Sequence, residues 1–323
     1  NVMPSPSLNR NPNQLISSTL KMSFLELKNP LIVIVGPTCV GKTDTSIYLA
    51  EKLNGEIVSA DSRTFYRGMD IGTAKPTRDE LRRIPHHLIN VTDPDEPWNL
   101  AIFQQKARAA IKEIQSRKHI PFLVGGTGQY IRSVAYNWAP PSISPNPILR
   151  NTLEKMAEIN GKEFLYSALQ LLDPEAAKLI DQRNVRRTIR ALEVIFSSGE
   201  KFSSQRNKSV SPYNLITIGL ERPREELYKR IDLRVEKMFA DGLVDEVESL
   251  LAAGYSPDLP AMTAIGYREC SEVALGIISS EQAMKEIKRK TRIFVRRQAN
   301  WFKPTDIDIH WFDISKQSNL EIE

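Results

Sequence analysis

Gly36-Pro37-Thr38-Cys39-Val40-Gly41-Lys42-Thr43 is a glycine-bounded octapeptide that ends in a cation and a hydroxyl, and it directly follows the apolar run Leu31-Ile32-Val33-Ile34-Val35. In that order it makes a complete phosphate-binding loop of the kind that also binds ATP. A buried strand delivers the chain to a sheet edge, glycines let backbone N–H groups turn inward, and a helix N-terminus aims its positive dipole at the anion. Lys42 adds a point charge and Thr43 a hydroxyl suited to Mg2+. Helical spacing of Ile47, Leu49, Ala50 and Leu53 behind the loop separates this reading from a chance glycine turn. The loop alone does not say whose phosphates it holds.

Three more clusters could act beside it. Asp61, in Ser59-Ala60-Asp61-Ser62-Arg63, follows an apolar run and should face the loop across the crevice at the carboxyl edge of a parallel sheet. It can cap a helix, support a metal through water or act as a general base, and position alone leaves all three open. Gly125-Gly126-Thr127-Gly128 offers either a close backbone approach at the same edge or an ordinary tight turn. Arg230 and Arg234 share one face of a helix with the pattern Leu227, Ile231, Val235, Met238. They could close over phosphate oxygens, or pair on the surface with Glu226 and Asp232.

Positioning these groups calls for alternating strands and helices, and short β-rich runs at Leu31–Val35, Glu56–Ser59, Leu88–Val91, Pro121–Gly125 and Leu215–Leu220 do alternate with helical patterns. The fold class predicted is α/β, a P-loop NTPase-like parallel sheet core over residues 25–139 and 209–323. Residues 140–208, entered through a proline-rich stretch, read as a strand-poor helical insertion domain. Residues 1–24 contain no acidic side chain and no apolar period, and read as a disordered leader, with a transit peptide or a start near Met22 as alternatives.

With 323 residues the chain can bury a sizeable core, as two domains or one with a large insertion. No run approaches the roughly 18 apolar residues of a membrane span. Cys39 and Cys270 are the only cysteines, and Cys39 lies inside the loop, so a disulfide framework is excluded and a reducing cytoplasm is expected. Neither they nor His86, His87, His119 and His310 have metal-ligand spacing.

The net charge of +5 matters less than its distribution. Arg183, Arg186, Arg187 and Arg190 cluster in the insertion. Lys285, Lys288, Arg289, Lys290, Arg292, Arg296, Arg297 and Lys303 lie opposite the stripe Met284, Ile287, Thr291, Phe294, Gln298, Trp301. Two cationic elements in a chain with a phosphate crevice favour a polyanionic substrate, nucleic acid, over a merely solvated surface.

Taken in order, Gly36–Thr43, the block from Ser59 through Asp61 to Pro76, Pro85-His86-His87, Leu123–Gly128, Arg190-Ala191-Leu192-Glu193-Val194 and Ala264-Ile265-Gly266-Tyr267-Arg268-Glu269 resemble the bacterial-type tRNA dimethylallyltransferases, also called tRNA isopentenyltransferases. The likeness runs from about Leu31 to Phe312, and the block from Asp61 to Pro76 is its most specific part. It implies transfer of a dimethylallyl group from dimethylallyl diphosphate to N6 of the adenosine on the 3′ side of the anticodon, in the anticodon stem-loop of tRNA. It also implies roles residue by residue. Asp61 is the general base, Thr43 holds Mg2+, and Lys42 with Arg234 clamps the diphosphate. Asp61, Ser62, Arg63, Thr64, Thr127, Arg150, Arg186, Arg187, Thr188, Ile189, Arg190, Thr263, Ala264, Ile265, Gly266, Tyr267 and Arg268 fall where the family contacts tRNA. A cytoplasmic monomer without membrane association is expected.

Thr64-Phe65 stand where the family often has Gln-Val, and Gln129 and Thr263 where other members carry Leu and an Arg or similar residue, which touches single tRNA contacts only. The rival readings are a P-loop kinase of a small molecule, an adenylate dimethylallyltransferase acting on free AMP, and a non-enzymatic RNA-binding module. A small acceptor would not need the two basic elements, and a binding module would leave Asp61 and the loop without purpose.

Overall fold

The computed structural model describes residues 27–138, 141, 143–144, 146–205 and 210–316. The leader expected over residues 1–24 lies outside them, as do residues 139, 140, 142 and 145 of the proline-rich stretch and 206–209. The chain divides into two compact units, one running up to Ala135 and resuming at Ser211, the other Tyr136–Val210.

The first unit is built on strand β1 (Pro30–Val35), helix α1 (Lys42–Leu53), β2 (Gly55–Ser59), α2 (Arg78–Arg83), β3 (His86–His87), α3 (Leu100–Ser116), β4 (Ile120–Gly125) and α4 (Gly128–Ala135). The six-stranded sheet runs in the order β3-β2-β4-β1-β5-β6, where β5 is Asn214–Glu221 and β6 Ile309–Asp313. Every ladder is parallel. Near-continuous Val, Ile and Leu in β1 and β4 suit strands covered on both faces, and Leu31, Val33, Ile34, Val35, Phe122 and Leu123 are fully buried.

One strand expectation is corrected and one strand is unexpected. The third strand is His86–His87 and not Leu88–Val91. Leu88 and Asn90 adopt φ of 63° and 55°, left-handed values that cannot continue an extended ladder. The chain moves off β2 instead and runs parallel to the Thr64–Tyr66 segment, with Asn90 N–H donating to Thr64 O at 3.2 Å and Val91 N–H to Phe65 O at 2.8 Å. The unexpected strand is β6, which extends the sheet beyond β5 and carries too short an apolar alternation to stand out in sequence.

Helices α9 (Arg224–Ala240), α10 (Leu243–Ala252), α11 (Tyr267–Ala274) and α12 (Ser280–Gln298) complete this unit. A Ser279/Gln282 capping box starts α12. Its buried stripe is Ala283, Ile287, Val295 and Gln298, whereas Phe294 and Trp301 of the expected stripe are exposed.

In the second unit α5 (Pro147–Asn160), α6 (Lys162–Leu172), α7 (Pro174–Leu179) and α8 (Val185–Ser198) enclose a core of Leu153, Leu165, Leu169, Ile180, Ile189, Leu192 and Phe202. Asp173 is fully buried, caps α7 at Ala176 N and accepts from Ser203 N–H and Oγ–H at 2.7 Å.

Candidate active site

Gly36 leaves β1 at φ 149°, and a Cβ there would lie 2.6 Å from Leu220 O, so only glycine lets the loop start. The loop ends at Gly41, which caps α1 with no side-chain hydrogen bond and leaves the first helical N–H groups to an incoming anion. Lys42 Nζ folds back onto Gly36 O at 3.0 Å and Pro37 O at 2.8 Å. Burial lowers its pKa to about 8, Asp61 works against that and Arg234 adds to it. Lys42, Asp61 and Arg234 therefore act within one electrostatic neighbourhood.

Long-range side chains fix the loop backbone. Arg230 Nε donates to Cys39 O at 2.8 Å and Arg222 Nε to Val40 O at 2.9 Å. Thr38 N–H donates to Gln298 Oε1 at 2.8 Å. Of the arginine pair on α9, Arg230 is thus engaged by the loop itself, while Arg234 stays exposed. Arg222, paired with Glu226, and Gln298 carry no local signature that marks them as loop partners.

Asp61 sits two residues beyond β2, and its Oδ1 accepts from Arg63 N–H at 3.0 Å, so one carboxylate oxygen caps a turn rather than a helix, the next helix starting only at Arg78. Ser62 N–H points to Thr127 Oγ1 at 3.4 Å, which brings the Gly125–Gly128 loop alongside. A Cβ on Gly125 would fall 2.4 Å from Ala60 O, so this loop is a close backbone approach. Phe65, fully buried, stacks with Trp98, Phe103 and Tyr130 at ring separations of 4.7, 5.6 and 5.8 Å, an aromatic cluster with no contiguous signature in the sequence. Burial pushes the Tyr130 hydroxyl up to about 12.

Glu246 of α10 ties two sequence blocks together. Its carboxylate accepts from the N–H groups of Asp70, Ile71 and Gly72 and from the Tyr267 hydroxyl at 2.5 Å. Tyr267 has no solvent exposure and Ala264 is buried, so within Thr263–Arg268 the exposed side chains are Thr263 and Arg268. Tyr267 is here a buried strut between Glu246 and the Asp70–Gly72 turn.

The cationic face of α12 is also reduced. Lys288 pairs with Glu236, Arg289 with Glu286, Lys290 with Glu269 and Arg292 with Asp232. Lys285, Arg296, Arg297 and Lys303 remain exposed. In the second unit Glu193, with no exposure, accepts from Arg150 and Arg190 at 2.8 Å each and from Asn146 N–H at 2.6 Å. Thr188 and Ile189 point their side chains inward, while Arg186 and Arg187 are exposed.

A cavity of about 200 Å³ opens beside the start of the loop, lined by Gly36, Pro37, Leu220, Leu227, Phe302 and Trp311 among others. Among the described residues no group of three or more His, Cys, Asp or Glu could hold a metal ion, and no helix is long and apolar enough to cross a membrane.

The IPP transferase family model matches residues 64–305, and an isopentenyl transferase model matches residues 29–91. A tRNA dimethylallyltransferase of Roseiflexus sp. (strain RS-1) is 52% identical over 274 residues, covering 85% of this chain and 90% of the relative. That of Thermomicrobium roseum is 45% identical over 289 residues, covering 90% and 88%. The crystal structure of a tRNA isopentenylpyrophosphate transferase from Bacillus halodurans superposes with a TM-score of 0.66 at 43% identity, covering 89% of this chain and 90% of that one. A eukaryotic dimethylallyltransferase acting on tRNA gives 0.76 at 27% identity, covering 90% and 76%.

Proposed function

This chain belongs to the IPP transferase family, and from that premise we propose that it transfers the dimethylallyl group of dimethylallyl diphosphate to N6 of the adenosine 3′-adjacent to the anticodon in tRNA, giving N6-dimethylallyladenosine. The observation that carries the reading is the phosphate loop itself, where the N-terminus of α1 has no side-chain cap and Lys42 folds back onto Gly36 O and Pro37 O, within the electrostatic reach of Asp61 and Arg234. Such a site holds an anionic leaving group and a base together.

The diphosphate lies on the free N–H groups of α1, with Lys42 and Arg234 opposing its charge. The cavity beside Gly36 and Pro37 has an apolar wall of Leu220, Leu227, Phe302 and Trp311 that suits a hydrocarbon group, with Arg222, Arg224 and Arg296 also on its lining. N6 of the adenine forms a bond to C1 of the dimethylallyl group as the bond from C1 to the diphosphate oxygen breaks. The proton shed by N6 goes to the Asp61 carboxylate oxygen that Arg63 does not engage. Lys42, Arg234 and the loop amides stabilise the charge that develops on the diphosphate.

Mg2+ fits the donor set. Thr43 follows Lys42 in the first turn of α1, and its hydroxyl is the group that would hold the ion against the diphosphate. Bound there, it would neutralise leaving-group charge.

Exposed groups for tRNA are Arg186, Arg187, Thr263 and Arg268, with Ser62, Arg63 and Thr127 beside Asp61. Arg150 and Arg190 contribute while anchored on Glu193. The acceptor base leaves a single-stranded loop, where unstacking costs little. We place the reaction in the cytoplasm and take the protein as a monomer.

Incubation with labelled dimethylallyl diphosphate, unmodified tRNA and, separately, AMP tests the reading. Label is expected in tRNA and not in AMP, with no need for ATP. ATP-dependent phosphorylation of a small acceptor without prenyl transfer would overturn it.

Replacing Arg186 and Arg187 together by Ala should weaken tRNA binding and lower the slope of log K against log salt by about 0.7–0.9 for each phosphate no longer neutralised. Turnover at saturating tRNA should largely recover. An unchanged salt slope would remove these two residues from the tRNA surface.

A further inference from the structure

Gln298 ends α12 on the buried side of the helix. It is 9% exposed, and both ends of its carboxamide are used on the site. Thr38 N–H donates to Oε1 at 2.8 Å, and Nε2 donates to Gly126 O at 3.3 Å. A Cβ on Gly126 would lie 2.3 Å from Nε2, so the second glycine of Gly125-Gly126-Thr127-Gly128 is what admits the amide. A carboxamide can accept from an N–H at one atom and donate to a carbonyl at the other, which is the pairing that these two loops present.

Thr38 belongs to the phosphate loop. Gly126 adjoins Thr127, whose hydroxyl meets Ser62 N–H next to Asp61. Gln298 therefore connects the loop that holds the leaving group with the loop that flanks the base. We infer that Gln298 is a positioning residue that sets the spacing between the diphosphate loop and the Asp61 side of the site, and so holds the two reacting partners in register. The inference rests on the transferase reading above. It gives the C-terminal helix a part in the reaction that its cationic face did not suggest.

The test compares Gln298→Leu and Gln298→Glu with the wild type in prenyl transfer from pH 5 to 8.5, together with binding of inorganic pyrophosphate by calorimetry and thermal unfolding. Gln298→Leu removes both hydrogen bonds, and leaving a buried N–H and C=O unpaired predicts a fall of about tenfold to a hundredfold in kcat at saturating substrates. Pyrophosphate affinity should fall about tenfold, since Thr38 is released from its partner. Gln298→Glu can accept from Thr38 N–H at any pH, but it can donate to Gly126 O only when protonated. Its activity relative to wild type should therefore be low at pH 8 and rise toward pH 5 as the carboxyl protonates, burial raising its pKa from the ordinary value of about 4.3 and Arg222, Arg224 and Arg296, which line the same cavity, lowering it. A role confined to folding would give a ratio flat with pH and a lowered Tm.

Wild-type kcat and pyrophosphate affinity in Gln298→Leu, or a flat ratio in Gln298→Glu, overturn the inference. The pH comparison is made within one folded variant, so it holds even where Gln298→Leu does not fold. A wild-type protein that fails to prenylate tRNA overturns the functional reading instead, and the pyrophosphate titration then still reports whether Gln298 sets the loop.

Discussion

Asp61→Asn is expected to lower turnover at saturating tRNA and dimethylallyl diphosphate by about 10²–10⁴-fold, the range for loss of a general base. Asn keeps an oxygen for Arg63 N–H, which Oδ1 now accepts at 3.0 Å, so the local turn should survive and only the proton acceptor and its charge are lost. The charge has a second consequence. Asp61 is the first group that opposes the burial-driven lowering of the Lys42 pKa, so the substitution should lower that pKa further. Measuring at pH 7 as well as pH 8 separates the two effects, because Lys42 retains more of its charge at the lower pH. Affinity for tRNA, read by filter binding, should change much less than turnover. Near wild-type turnover in Asp61→Asn would leave Asp61 as a turn cap alone.

Lys42→Met should reduce kcat/KM for dimethylallyl diphosphate by about 10²–10³-fold, comparable to removing one preorganised donor from a developing anion. The pH dependence gives this its sign. In the free protein burial lowers the Lys42 pKa to about 8, so the ammonium is present below that pH and is lost as the pH rises through it. Binding an anion requires the charged form. Affinity of the wild type for pyrophosphate should therefore decline as the pH rises from 7 to 9, whereas Lys42→Met should be weaker at pH 7 and nearly flat over the same interval. Calorimetry in buffers of different ionisation heat reads both the affinity and the proton taken up. A wild-type affinity independent of pH between 7 and 9 would exclude Lys42 as the titrating cation.

The chemistry at the centre of the molecule is legible in the sequence because it depends on short stretches. Gly36–Thr43 needs a preceding strand, two glycines, a Lys and a Thr, and all of these are contiguous. The apolar runs that form β1, β2, β4 and β5 reflect local burial on both faces, so they stand out in composition. Apolar composition places the third strand too late because only backbone dihedrals, at Leu88 and Asn90, decide where it stops. In α12 the same limit takes another form. Periodicity finds a helix with one apolar and one cationic side, but it does not show that Lys288 and Arg292 lie opposite Glu236 and Asp232, which precede them by 52 and 60 residues.

The sequence by itself determined the α/β class, the phosphate loop and the presence of Asp61 past the second strand, because contiguous residues dictate strand, turn and helix start. Tertiary structure alone decided which of the charged and polar residues are free. Arg230 is held by Cys39 O, Tyr267 by Glu246, Arg150 and Arg190 by Glu193, and Gln298 is shared between Thr38 and Gly126. The physical reason is that a side chain's type limits what it can bond, whereas the partner that it meets in a low-dielectric interior is set by packing between segments far apart in the chain.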